Sequence, residues 1–183
     1  RSPDAADEPA SACRLAVRRV AAHWSAEICL HDAGQFNGRR LRDYELLAPL
    51  ARGGMGAVYR ARHTRLNRHV ALKVFPHGWL ESPALVARFE REMQAVGTLR
   101  HPAIVQATDG GEASGIHFLV MELIDGLDGG ALVRRMGPLA PADACEIARQ
   151  AALGMAYVHE QGIIHRDLKP SNLMVTRGGE VKV

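Results

Sequence analysis

The stretch His165-Arg166-Asp167-Leu168-Lys169-Pro170-Ser171-Asn172 decides how the rest of the chain is read. It sets a carboxylate, an ammonium and a carboxamide within six residues of one proline-containing loop. Such a string has no obvious packing purpose, because charged side chains are almost never fully buried unless paired. It does suit group transfer. The carboxylate can take a proton, the lysine can neutralise a transferring phosphoryl group, and the asparagine oxygen can ligate Mg2+.

Outward from this loop, the pattern alternates between two periods. Upstream, Pro141 to Glu160 carries Ile147, Ala151, Met155 and Val158 on one helical stripe, and Gly162 stops it. Ile163-Ile164 opens a short strand into the loop. Downstream, Leu173-Met174-Val175 reads as a strand, followed by a turn at Gly178-Gly179 and a strand over Glu180 to Val183. Earlier, Ile104 to Thr108 and Ile116 to Leu123 read as strands around a glycine-rich turn over 110–115. A helix is expected over 83–99, with Ser82 as N-cap and Pro83 as first residue. Leu85, Phe89, Met93 and Val96 form its apolar stripe, and His101-Pro102 ends it. Before it come strands over Tyr44 to Leu50, Ala57 to Ala61 and Arg68 to Phe75. Strands, one helix, strands, then helices make an α+β order rather than alternating βαβ units.

Three further groups carry chemistry. Ala51-Arg52-Gly53-Gly54-Met55-Gly56-Ala57-Val58 places glycines at a strand–turn–strand junction, where backbone N–H groups can approach phosphate oxygens with no Cβ in the way. Alone, the run reads equally well as a plain glycine hairpin. Lys73, in Val70-Ala71-Leu72-Lys73-Val74, is flanked by apolar residues and must find an anion or reach solvent; alone, it reads as an edge-strand lysine. Glu92 lies one turn from Phe89 and beside Met93, nearer the buried edge of its helix than Glu90, although by itself it reads as a surface acid.

Composition narrows the classes. The chain has 183 residues, 47% hydrophobic and 23% charged, which is ordinary globular composition. A net charge of +3, spread along the chain, gives no argument for nucleic acid. No apolar run reaches the ~20 residues of a membrane helix, and Ile116 to Ile124 is interrupted by His117 and Glu122. Three scattered cysteines, Cys13, Cys29 and Cys145, fit a reducing compartment. Cys145 falls on a helix and reads as core. Residues 1–12 read as a disordered lead-in, 14–30 as one amphipathic helix and 31–42 as a linker. Residues 1–43 are thus expected to form an N-terminal extension. Cys13, His23, Cys29 and His31 lack the spacing of a zinc site.

Taken together, the motifs resemble protein kinases. His165 to Asn172 resembles their catalytic loop, with the lysine two after the aspartate typical of the serine/threonine branch. Ala51 to Tyr59 resembles the Gly-rich loop, Val70 to Lys73 the strand of the phosphate-anchoring lysine, and Phe118 to Gly126 the hinge. Gly53-Gly54-Met55-Gly56 and His101 to Val105 resemble the bacterial, eukaryotic-like (Hanks-type) serine/threonine kinases. Only three of the 23 cationic residues are lysines. Two of them fall on the family's two catalytic lysine positions, which a random placement would achieve about one time in 80.

The resemblance implies a two-lobed fold over 44–183, with a complete small lobe and part of a helical large lobe. It implies ATP and Mg2+ as cofactors and transfer of the γ-phosphoryl group to Ser or Thr hydroxyls of a protein. By matched position, Lys73 holds the α- and β-phosphates and pairs with Glu92. Asp167 handles the acceptor proton, Lys169 stabilises the γ-phosphoryl, and Asn172 binds a metal ion. Leu50, Val58 and Ala71 take one face of the adenine and Met174 the other. Met121 is the gatekeeper, and the backbone of Glu122 and Ile124 meets the adenine edge. Gly53, Gly54 and Gly56 cover the phosphates. Ala51 replaces the first glycine of the loop, which implies weaker or slower ATP binding. The family continues from a strand like Val181-Lys182-Val183 into Asp-Phe-Gly, whose aspartate ligates Mg2+, so the sequence reads as a fragment that does not catalyse alone. A pseudokinase or nucleotide-binding scaffold is the alternative, and an interaction module over 1–42 is a third reading. The kinase part is expected in the cytoplasm, with a membrane anchor beyond Val183 left open.

Overall fold

The computed structural model describes residues 36–53, 56–75 and 83–183. The lead-in over 1–12, the expected helix over 14–30 and the N-cap Ser82 lie outside the described residues. The fold is α+β, in two compact units. Among the described residues, one holds those from 36 to 99 together with 106–123; the other holds 100–105 and 124–183.

The first unit is an antiparallel sheet with one helix. Its strands are β1 (Arg40–Leu41), β2 (Tyr44–Gly53), β3 (Gly56–His63), β4 (Arg68–Val74), β5 (Ala107–Ala113) and β6 (Ile116–Met121). They hydrogen-bond in the order β1-β2-β3-β4-β6-β5. The helix, α1, spans Pro83–Thr98. Alternation along β4 sends Val70, Leu72 and Val74 to one face, where they join Leu46, Tyr59, Ala61, Phe118 and Val120 in the core. Burying each large apolar side chain contributes roughly 1.5–3 kcal/mol. The sheet curls on this core. Tyr44 of β2 donates its hydroxyl to Asp109 of β5 at 2.7 Å, and Arg42 donates to the Glu112 carbonyl while lying over the Phe118 ring. Burial, then the Asp109 carboxylate, pushes the Tyr44 hydroxyl up to about 12.

The second unit holds β7 (Gly126–Asp128), α2 (Gly129–Met136), α3 (Pro141–Glu160), a 3-10 turn (Pro170–Asn172), β8 (Met174–Thr176) and β9 (Val181–Lys182). Three short strands pair as β7-β8-β9 over Leu132, Ile147, Ala151, Val175 and Val181. Helix α3 has its expected limits, and the stripe of Ile147, Ala151, Met155 and Val158 is buried. Among the described residues no helix is long and apolar enough to cross a membrane.

Several expectations are corrected. The strand expected at 104–108 begins instead at Ala107, because Ile104 closes a turn onto the His101 carbonyl. Gly110 and Gly111 lie within that strand rather than in a turn. A Cβ on Gly110 would overlap the Met93 side chain of α1, and one on Gly111 would meet the Arg42 guanidinium. These are packing glycines, and the turn itself is Ser114-Gly115, both with positive φ. Residues 163–164 form no strand. The expected linker contributes β1 and the buried Leu41, and Phe36 packs edge-on against Tyr59. Helix α2 escapes a sequence reading because it opens on two glycines; the Asp128 side chain caps it by accepting from the Ala131 N–H at 2.8 Å. Cys145 is exposed, since the buried stripe of α3 runs through Ile147 and Ala151 instead.

Gly56 has φ +123°, and a Cβ there would overlap the Val74 carbonyl oxygen of β4. Gly56→Ala is therefore expected to destabilise by at least ~2 kcal/mol. Gly97→Ala, in open space on α1, should stabilise by ~0.5–1 kcal/mol. Thermal unfolding of the two variants checks this opposite pair of shifts; equal midpoints would contradict the placement of Gly56.

Candidate active site

The first group of candidate residues lies on the sheet face opposite the core. Cα partners in an antiparallel ladder project to the same side. Ala51 faces Val58, Val58 faces Lys73, and Lys73 faces Leu119, which makes one row across β2, β3, β4 and β6. Ala71 faces Met121 in the next row. The register thus gathers Ala51, Val58, Ala71, Lys73 and Met121 on one face of one sheet. Leu50 falls where the β2–β3 pairing shifts between Pro49 and Ala51. Gly53 pairs with Gly56 at the hairpin end, and Gly54 lies outside the described residues.

Lys73 is half-buried, and β4 lies inside the sheet between β3 and β6, which excludes the edge-strand reading. Its ammonium sits 5.1 Å from the centroid of the Phe75 ring. Phe75 meets Phe89 of α1 edge-on at 4.7 Å, and Phe89 meets His117 at 5.7 Å. This aromatic chain fastens α1 beside the lysine's strand. Glu92, one turn past Phe89, is exposed, as is Glu90. The expectation that Glu92 sits at a buried edge is corrected: Phe89, Met93 and Val96 take the inward stripe, and Glu92 lies off it.

Glu122 follows β6. Its backbone N–H donates to the Gln106 carbonyl at 2.9 Å, and its carboxylate accepts the Gln106 N–H at 2.8 Å. Ile124 begins the other unit and is half-buried.

The second group of candidate residues lies in the other unit, in the loop after α3. Gly162, with φ +73°, turns the chain out of the helix, and Arg166 takes a positive φ of 64°. That strain at a non-glycine residue bends the loop so that the Asp167 N–H reaches the His165 carbonyl at 2.9 Å. Lys169 Nζ lies 2.9 and 2.8 Å from the two carboxylate oxygens of Asp167. Asn172 Nδ2 donates to the Asp167 carbonyl at 2.7 Å and to its carboxylate at 3.1 Å. The hydrogen bond from Lys169, then that from Asn172, holds the Asp167 carboxyl below its ordinary value. The Asn172 amide spends its nitrogen on Asp167, which leaves Oδ1 as the atom suited to a hard cation. Among the described residues no cluster of three or more His, Cys, Asp or Glu could hold a metal ion.

The loop is also held from below. The Gly129 N–H donates to the Leu173 carbonyl, and a Cβ on Gly129 would lie 2.8 Å from the Pro170 carbonyl oxygen. Sequence reasoning missed Gly129; its only signal is a paired glycine after a capping aspartate. Met174, on β8, faces Asp128 on one side and Lys182 on the other.

The chain is also similar to known proteins. The protein kinase domain family matches residues 44–183. The chain is 42% identical over 147 residues to the serine/threonine-protein kinase PknD of Mycobacterium tuberculosis, covering 80% of this chain and 22% of that protein. It is 42% identical over 144 residues to PknB of Mycolicibacterium smegmatis, covering 76% and 23%. The chain thus spans about a fifth of the length of these curated relatives. The crystal structure of the PknI kinase domain of Mycobacterium tuberculosis superposes with a TM-score of 0.68 at 28% identity, over 80% of this chain and 60% of that one.

A depressed aspartate contributes stability above the ordinary carboxylate range and loses it as pH falls through the lowered value. Lys169→Met removes the larger cause, so the Asp167 carboxyl should titrate at higher pH than in the wild type. NMR of the side-chain carboxyl reads this directly; an unmoved midpoint would show that Lys169 is not the main cause.

Proposed function

The chain belongs to the protein kinase domain family, as part of a bacterial-type serine/threonine kinase domain, and from that premise we propose that it serves transfer of the γ-phosphoryl group of ATP to a Ser or Thr hydroxyl of a protein. The observation that carries the reading is the closed loop in which Lys169 and Asn172 both bind Asp167. Phosphoryl transfer passes through a loose transition state with little covalent chemistry for the protein to perform, so positioning and charge neutralisation dominate. A carboxylate made less basic by two donors suits that task. Asp167 orients the acceptor hydroxyl and takes its proton late, while Lys169 lies within reach of the charge that develops on the transferring group.

The sheet face supplies the nucleotide contacts. Val58, Ala71 and Leu50 offer an apolar surface to the base, with Met174 as a further apolar contact. Met121 limits the depth at which the base sits. The Glu122 carbonyl accepts from the adenine amino group, and the Ile124 backbone supplies the second edge contact. Gly53, Gly54 and Gly56 let the β2–β3 turn close over the phosphates. Lys73, paired with Glu92, holds the α- and β-phosphates. Asn172 Oδ1 would hold Mg2+, which when bound neutralises charge on the phosphate oxygens. Ala51, exposed on the same face as Val58, adds a methyl group where the nucleotide would lie, so ATP binds less tightly than it would with glycine there.

In the protein as its gene encodes it, Lys73→Ala and Asp167→Asn should each lower phosphoryl transfer by about 10²-fold or more, with circular dichroism unchanged. Transfer from radiolabelled ATP to a generic basic protein measures this. Wild-type rates in either variant would remove that residue from the mechanism. Binding of Mg·ATP without any transfer by the wild-type protein would favour a nucleotide-binding scaffold instead.

A further inference from the structure

We propose that Gln150, in the middle of α3, is a positioning residue for the metal-binding side of the site, an inference that rests on the phosphoryl-transfer reading. Its side-chain amide uses both of its ends. Oε1 accepts the Val181 N–H at 2.8 Å; Nε2 donates to the Gly179 carbonyl at 3.1 Å and to Glu146 Oε1 at 2.9 Å. The amide orientation is unambiguous, because Val181 needs an acceptor and Gly179 a donor. Glu146 is itself gripped by Arg149 through two contacts of 2.7 Å.

Gln150 thereby acts as a short stretch of neighbouring strand. Among the described residues, the outer edge of β9 has no β-strand beside it. Gln150 satisfies its first half, and the segment 103–105 satisfies its end: the Val183 N–H donates to the Ala103 carbonyl, and the Val105 N–H donates to the Val183 carbonyl. Val181 is 1% exposed, so water cannot replace the amide there.

The position of β9 along α3 is passed to β8 through the pairs Val175–Val181 and Met174–Lys182. Residue 172 lies two positions before Met174. Asp167 is tied to α3 by the chain itself, through Gly162 to Arg166. Asn172 is tied to α3 by a second route, through β8, β9 and Gln150. The hydrogen bonds between Asp167 and Asn172 close the circuit. If the second route slips, Asn172 Oδ1 shifts relative to Asp167 without any change in the loop's sequence.

The test uses Gln150→Leu, which removes both ends of the amide, and Gln150→Glu, which keeps the shape and the acceptor but loses the donor to Gly179. In the protein as its gene encodes it, the Mg2+ concentration for half-maximal transfer should rise about tenfold, with kcat largely recovered at high Mg2+ and Lys73-dependent KM for ATP little changed. A folded variant with wild-type Mg2+ dependence overturns the proposal, because a purely structural role lowers the melting temperature and leaves that dependence alone. Hydrogen exchange provides the second measurement: amides over 172–176 should exchange faster in either variant than in the wild type. If the wild-type protein transfers no phosphoryl group, the functional reading fails by itself. Exchange then still decides the mechanical claim, and unaltered protection over 172–176 overturns it.

Discussion

The bond on which the loop depends is the one from the Asn172 carboxamide to Asp167. Five residues apart in sequence, the two are drawn together by donation to both the Asp167 carbonyl and its carboxylate. The closure does not come from the 3-10 turn over Pro170–Asn172, whose backbone bonds run to the Lys169 and Pro170 carbonyls. It has to come from side chains, and it constrains everything around it. Arg166 accepts a positive φ to bring Asp167 round. Lys169 is drawn to the same carboxylate. Position 129 favours glycine, because a Cβ there would crowd the Pro170 carbonyl oxygen at 2.8 Å. Strain at one residue and a missing side chain at another are both consequences of a single closed ring.

The sheet solves a different problem by period rather than by closure. One strand, β4, serves the core with Val70, Leu72 and Val74 and the site with Ala71 and Lys73. With a period of two, slipping the register by one residue would bury Lys73 and expose Leu72. The hydrophobic core therefore specifies the position of Lys73 without touching it. The curl fastened by Tyr44–Asp109 and Arg42–Glu112 keeps that core closed. The opposite face can then carry small and half-buried residues that contribute little to stability themselves.

Legibility in the sequence followed this division. Periodic features could be read directly. The stripe of Ile147, Ala151, Met155 and Val158 gave α3 its limits, and alternation gave β4 its faces. Features that depend on contacts far apart in sequence could not. Gly110 and Gly111 look like a turn because local reasoning sees only a missing side chain; the reason for it is Met93 in one case and Arg42 in the other. Helix α2 looks like a loop because its two leading glycines are selected by the Pro170 carbonyl and a tight first turn, not by helix propensity. Glu92 is hard to place from sequence because it adjoins Met93 of the inward stripe and is nonetheless exposed.

The same logic separates what the motifs can and cannot carry. Lys73, Asp167, Lys169 and Asn172 stand out in the sequence because the proposed phosphoryl transfer needs particular charges and atoms, and few residue types supply them. The residues that hold them in place are under no such chemical constraint. Gly129, Gln150 and Gln106 do their work with a hydrogen atom, an amide and a backbone pair, and each has many innocuous explanations in a sequence. Their contribution appears only when a backbone group has to be satisfied: the Gly129 N–H on Leu173, the Val181 N–H on Gln150, the Glu122 N–H on Gln106. Asking where each buried backbone donor goes is therefore the more productive search for the supporting residues, just as asking which charges are needed is for the reacting ones.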